Sequence, residues 1–138
     1  MGFYCDGLGF ERVESYELDE TMLDGLDRAL EVEPPVRLRS QMITHGELKI
    51  ELLHFTAPVA NGTPSARRNQ LGFTHLSFFV DDVDVVAARL TSLGGTIQPG
   101  TRAALGYDVL FLADPDGTRI ELMGPLASSG RRAENDEG

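Results

Sequence analysis

The sequence predicts an α+β fold of paired βαβββ units forming a curved mixed sheet, with the first unit lacking its opening strand. Three observations carry this. Between Gly72 and Leu93 the apolar period switches from two residues to the helical 3.6. A DPDG turn signal at Asp114–Gly117 separates two short apolar strands. Helical stretches in both halves end on similar tripeptides, LGF at Leu8–Phe10 and LGG at Leu93–Gly95.

The second unit is the clearer copy. In FTHLSFFV, Leu76, Phe78 and Val80 share one strand face, while His75, Ser77 and Phe79 share the other. In DDVDVVAARLTSL, Val83, Val86, Ala87, Leu90 and Leu93 fall on one helical stripe. Asp81 reads as the N-cap, Asp84 lies in the first turn, and Gly94-Gly95 reads as the stop. Three strands follow, around Thr96–Gln98, Tyr107–Ala113 and Thr118–Met123.

The first half repeats this order imperfectly. Residues 2–8 read as the end of a helix closed by Gly9, and Glu11–Glu17 as a strand. An acidic insertion runs to Pro34-Pro35. Val36–Thr44 and Glu47–Phe55 form a hairpin about His45-Gly46. Aligning Leu8–Phe10 with Leu93–Gly95 puts the counterpart of His75 before Met1, so the opening strand is absent. The expected organisation is a domain over 1–125 and a disordered acidic tail over 126–138. Within the domain lie a first unit (1–56), a linker (57–70) and a second unit (71–125).

Composition bounds the function. The 138 residues suit one domain, and 41% apolar with 25% charged residues is ordinary globular usage. A formal charge of −10 argues against nucleic acid and anionic membranes as partners. No apolar run is long enough to span a bilayer, and no signal peptide opens the chain. The single Cys5 excludes an intrachain disulfide, so a cytoplasmic protein is expected. Arg67-Arg68 and Arg131-Arg132 are isolated basic pairs rather than a patch.

Three strands each place one ionisable group among apolar neighbours. In LKIELLHF, Leu48, Ile50 and Leu52 share a face, leaving Glu51 with Leu53 and Phe55. In TRIELM, Ile120 and Leu122 share a face, leaving Glu121 with Arg119 and Met123. If the aliphatic faces pack on the helices, Glu51, His75 and Glu121 face the other side of the sheet. Two carboxylates without partners are costly to bury, and a divalent cation is a physical reason for them to converge. The set suits Ni, Co, Zn, Mn or Fe without choosing among them. Exposed glutamates and a structural histidine are the simpler alternative.

The runs GFTHLSFFVDDVDVVAARLTSLGG and FLADPDGTRIEL, with FYCDGLGFE near the start, resemble the vicinal-oxygen-chelate superfamily. This is the glyoxalase/bleomycin resistance protein/dioxygenase group, and the likeness covers nearly all of residues 3–124. The resemblance implies a glyoxalase-like fold and places metal ligands at Glu51, His75 and Glu121. The fourth ligand, usually a histidine, falls in the absent strand. Glu51 in its KIEL context resembles glyoxalase I more than methylmalonyl-CoA epimerase, while THLSFFVDDVD is about equally close to both. Either implies a metal-dependent lyase or isomerase that moves a proton through an enediolate, with Glu51 or Glu121 as the base. An extradiol-type dioxygenase is an alternative, as is a non-catalytic small-molecule binder like the bleomycin-sequestering members. The resemblance also implies a small-molecule substrate and a homodimer, which an uncovered sheet edge would favour.

Other candidates have bland readings beside the functional ones. Arg37 and Arg39 share a strand face and would hold a substrate carboxylate or phosphate, or else answer local acids. Tyr107 would contact substrate or close the rim of the cup. His54 reads as a partly buried structural histidine on the face opposite Glu51, and His45 as a solvated loop residue.

Overall fold

A computed structural model describes residues 1–127. Of the expected tail, residues 128–138 lie outside the described residues. The chain is α+β, mostly strands with few helices, and divides into two compact units, Met1–Pro64 and Ser65 onward.

The first unit opens with a short π-helical turn, Phe3–Gly7, and among the described residues no strand precedes it. Gly9 leaves this turn at φ +77°, a conformation open to glycine at little cost. Phe3, Tyr4 and Phe10 are buried, and their rings meet edge-on at 5.2 and 6.1 Å. Three strands follow: β1 (Glu11–Asp19), β2 (Arg37–His45) and β3 (Leu48–Ala57). They form an antiparallel sheet in the order β1-β2-β3. The hairpin sits one residue later than expected, because His45 ends β2 and pairs with Leu48. Gly46-Glu47 is the two-residue loop, with Gly46 at φ +58° as such tight turns require. The acidic insertion contains α1 (Leu26–Leu30), bracketed by left-handed Gly25 and Glu31. Its Leu26 packs with Val36 and Leu38, and Leu18, Leu30, Val32 and Phe55 close that cluster.

The second unit is strand, helix, then strands, as expected. It comprises β4 (Leu76–Phe79), α2 (Val83–Ser92), β5 (Thr96–Ile97), β6 (Ala103–Ala104), β7 (Asp108–Ala113) and β8 (Arg119–Gly124). The order is β4-β8-β7-β5, with β6 added beside β7. Only β4 and β8 run parallel. Val83, Ala87 and Leu90 form the buried stripe of α2, which contacts β5, β7 and β8. The sheet's buried residues on that side are Leu110, Leu112, Ile120 and Leu122. Asp82, not Asp81, caps the helix: its carboxylate accepts from the Val85 amide at 2.9 Å. At the other end the Gly95 amide donates to the Leu90 carbonyl, and Gly94 adopts φ +94°. In the DPDG turn the buried Asp114 carboxylate accepts from the amides of Asp116 (2.9 Å) and Thr118 (2.8 Å).

Arg102 ties the start of α2 to β7. Its guanidinium donates to Asp84 at 2.7 Å and forms short bonds to Asp108. The hydrogen bond from Arg102, then its charge, holds the Asp84 carboxyl below its ordinary value of 3.8. A carboxyl depressed in the folded state contributes stability above its unfolded pKa and loses it as pH falls. The thermal midpoint of the wild type should therefore exceed that of Asp84→Asn at neutral pH. This advantage should shrink between about pH 5 and pH 3, and shrink with added salt because Asp84 is exposed. A difference that is constant with pH would contradict the assignment.

Candidate functional site

The residues of interest lie on the face of the second unit's sheet turned away from α2. Strand register sets which side chains meet there: Ser77 opposes Glu121, Phe79 opposes Met123, and Phe111 opposes Glu121 from the other side. His75 immediately precedes β4 and has a polar neighbour at each ring nitrogen. Nδ1 is 2.8 Å from the Thr74 hydroxyl, and Nε2 is 3.3 Å from Glu121 Oε2. The Phe111 ring abuts the imidazole edge-on, with centroids 5.2 Å apart. Ser77 donates a very short hydrogen bond to the same Oε2. The side chains of His75 and Glu121 are 28% and 16% exposed, reachable yet largely walled in.

The 3.3 Å separation is longer than a good N–H···O bond of about 2.7–3.2 Å. Two donors bound to one cation at about 2.0–2.2 Å, at square to tetrahedral angles, stand about 2.8–3.6 Å apart. The pair therefore fits a shared cation, as does its chemistry of one imidazole and one carboxylate.

Glu51 lies on β3 of the first unit, exposed, opposite Met42. The Ser40 hydroxyl on β2 donates to Glu51 Oε1 at 2.5 Å. Ser40 is 1% exposed, one of two buried polar residues among those described, so its hydrogen-bonding capacity is directed at this carboxylate. Both candidate carboxylates thus take a serine hydroxyl from a neighbouring strand. Of the proposed ligands, His75 and Glu121 come together in one unit and Glu51 stands in the other. Among the described residues, no group of three or more His, Cys, Asp or Glu is placed to hold a metal ion.

Arg37 and Arg39 lie on the sheet face opposite Glu51, where β1 supplies their acids. Arg37 pairs with Asp19 at 3.0 Å and Arg39 with Glu17 at 2.5 Å. His54 opposes Arg39, on the face away from Glu51 as expected, but it is exposed rather than partly buried. His45 is exposed as expected, but it ends β2 rather than lying in the loop, and its ring is 5.4 Å from Phe10. Tyr107, 46% exposed, meets the exposed Phe79 ring edge-on. Thr74, Ser77, Ser40 and Phe111 were not singled out from sequence. Ser77 had a signal, since alternation puts it on the face of His75, but the donor role depends on register.

Comparison with known proteins identifies the group. A model of the "Glyoxalase/Bleomycin resistance protein/Dioxygenase superfamily" matches residues 1–122. The chain belongs to this superfamily. A glyoxalase family protein from Bacillus cereus superposes with a TM-score of 0.70 at 21% identity. That match covers 88% of this chain and 82% of the other. The trypanothione-dependent glyoxalase I of Leishmania major gives 0.59 at 18%, over 90% and 75% of the two chains. Glyoxalase I from Zea mays gives 0.61 at 19%, over 88% of this chain but 38% of its own. Likenesses at this identity show the glyoxalase-superfamily fold. No curated protein matches the sequence significantly. No helix among the described residues is long and apolar enough to cross a membrane.

Proposed function

We propose that this superfamily member is a metal-dependent lyase or isomerase of the glyoxalase I/methylmalonyl-CoA epimerase type. It would move a proton at a carbon beside a substrate carbonyl, by way of an enediolate. The observation that carries the reading is the His75–Glu121 pair, 3.3 Å apart on a partly shielded sheet face. His75 and Glu121 would hold a divalent cation. When bound, the cation supplies a Lewis acid for the substrate's oxygens. The chain's own groups do the rest. Thr74 fixes the imidazole, and Ser77 holds Oε2 of Glu121, leaving Oε1 as the freer oxygen. Glu121 takes the proton from carbon and returns it. Phe111 walls the imidazole, while Phe79 and Tyr107 offer an aromatic surface to the substrate. We also read the chain as a homodimer acting on a small molecule, with β1 and β3 the edge strands of the first unit's sheet. Sedimentation as a stable monomer at micromolar concentration would refute the dimer.

The test is metal-dependent exchange of a substrate's α-hydrogen for solvent deuterium, followed by NMR over a panel of small oxo and hydroxy acids and thioesters. Exchange that needs the metal and Glu121 supports the reading. Metal-loaded protein that exchanges none of the panel counts against it.

Ser77→Ala gives a finer prediction. Groups that orient a ligand typically affect metal affinity about 10- to 100-fold. Ser77→Ala should weaken metal binding within that range, whereas Ser77→Thr, which keeps the hydroxyl, should stay near wild type. Equal affinities for the Ala and Thr variants would remove Ser77 from the site.

A further inference from the structure

The chain carries −10 overall, and four of its arginines are answered by acids. Arg28 pairs with Asp24, Arg37 with Asp19, Arg39 with Glu17, and Arg102 with Asp84 and Asp108. Two half-buried arginines depart from this. Among the described residues, Arg68 and Arg119 have no carboxylate within ion-pair distance. Arg12 and Arg67 also lack one, but both are exposed and solvated.

Both stand at the His75 end of the candidate site, within the second unit. Arg68 donates from Nη1 to the Thr74 carbonyl at 2.8 Å and from Nη2 to the Ser65 carbonyl at 3.2 Å. This anchors its guanidinium one residue from His75 and leaves three of its five N–H groups for another acceptor. Arg119 lies on β8 two residues before Glu121, on the same sheet face. The β4–β8 register, with Leu76 opposite Ile120, brings Arg119 alongside His75 one step further on. The two arginines also feel each other. Burial, and then the charge of Arg119, hold Arg68 below its ordinary pKa. Holding two cations near each other without a counter-charge is unfavourable, and a bound anion would relieve it. Glu121, the carboxylate on that face, is taken up by His75 and Ser77.

We propose that Arg68 and Arg119 form an oxyanion subsite that receives a carboxylate or phosphate group of the substrate. The substrate is then a small anionic oxo compound, its charged end at the two guanidinium groups and its reacting carbon towards His75 and Glu121. This rests on the reading of that pair as the reacting centre, but anion binding can be measured without metal. Planar guanidinium groups bind either oxyanion by paired N–H···O bonds, so both sources share one chemistry.

The experiment uses the full-length, metal-free protein at constant ionic strength. Inorganic phosphate and pyruvate are titrated separately while the arginine Nε–H signals are followed by NMR. The proposal expects saturable shifts of the Arg68 and Arg119 signals with at least one anion, and the tighter binder identifies the source. Arg119→Gln should weaken that binding about tenfold or more, with a far-ultraviolet circular dichroism spectrum like the wild type. Arg68→Lys, which keeps the charge but loses the fork, should also weaken it. Two results overturn the proposal: no saturable shift with either anion up to about 50 mM, or unchanged affinity in Arg119→Gln. The metal content of reloaded wild type is read separately. A wild type that takes up no metal on reloading, yet binds anion at these arginines, would refute the metal reading and leave the subsite standing.

Discussion

Glu121→Gln is expected to weaken divalent-metal binding by at least about a hundredfold while leaving the protein folded, as judged by circular dichroism and thermal melting. The two-orders figure is a floor, because loss of a group that merely orients a ligand already reaches that size. The amide matches the carboxylate in shape, and its oxygen can still accept from the Ser77 hydroxyl across the register pair. What it loses is the negative charge that a 2+ cation requires of its donor set. A sheet substitution that conserves volume on a half-buried face should cost little stability. Isothermal titration with Zn, Ni, Co and Mn salts provides the measurement. Wild-type affinity in Glu121→Gln would remove Glu121 from the ligand set.

The largest expected loss of stability comes from Leu122→Ala. Leu122 is fully buried on β8, with Phe78 opposite on β4 and Leu110 opposite on β7. All three share the side of the sheet that includes Ile120 and Leu112, the side packed by α2. Truncating such a leucine removes the transfer free energy of the lost methyl groups and leaves a cavity that its neighbours fill only partly. The expected cost is about 2–5 kcal/mol, read by urea denaturation. Leu105→Ala, at a position 72% exposed, is the control and should fall within about 0.5 kcal/mol of wild type. Similar effects at the two positions would contradict the assigned core.

The sequence reveals most where one period or one turn signal dominates. The stripe from Val83 to Leu90 specifies α2, and DPDG fixes the β7–β8 connection through the Asp114 carboxylate. Shorter features escape such reading. β6 is only Ala103–Ala104, too brief to alternate, and α1 is five residues whose boundaries come from two left-handed positions in an acidic run. With two adjacent aspartates the pattern points to Asp81 as the N-cap, whereas the Asp82–Val85 hydrogen bond puts it one residue later.

The candidate site divides in the same way. Alternation alone puts His75 and Glu121 on one face of the sheet, because each sits among strand residues of opposite character. That Ser77 meets Glu121, that Ser40 meets Glu51, and that Glu17 and Asp19 answer Arg39 and Arg37 all depend on register between strands. The last of these pairs join residues 18 and 22 positions apart (37 − 19 and 39 − 17), a relation no local pattern encodes. Arg68 was visible in the sequence only as half of a basic pair. The carbonyls it grips and the cation beside it emerge only from the folded second unit.

His75 and Glu121 are proposed to hold a divalent cation. The most direct test is the metal content of purified wild type by inductively coupled plasma mass spectrometry, after stripping and reloading in turn with Zn, Ni, Co, Mn and Fe(II). Stoichiometric binding of at least one of these, lost in Glu121→Gln, is the predicted result. No stoichiometric divalent metal in the reloaded wild type would contradict it.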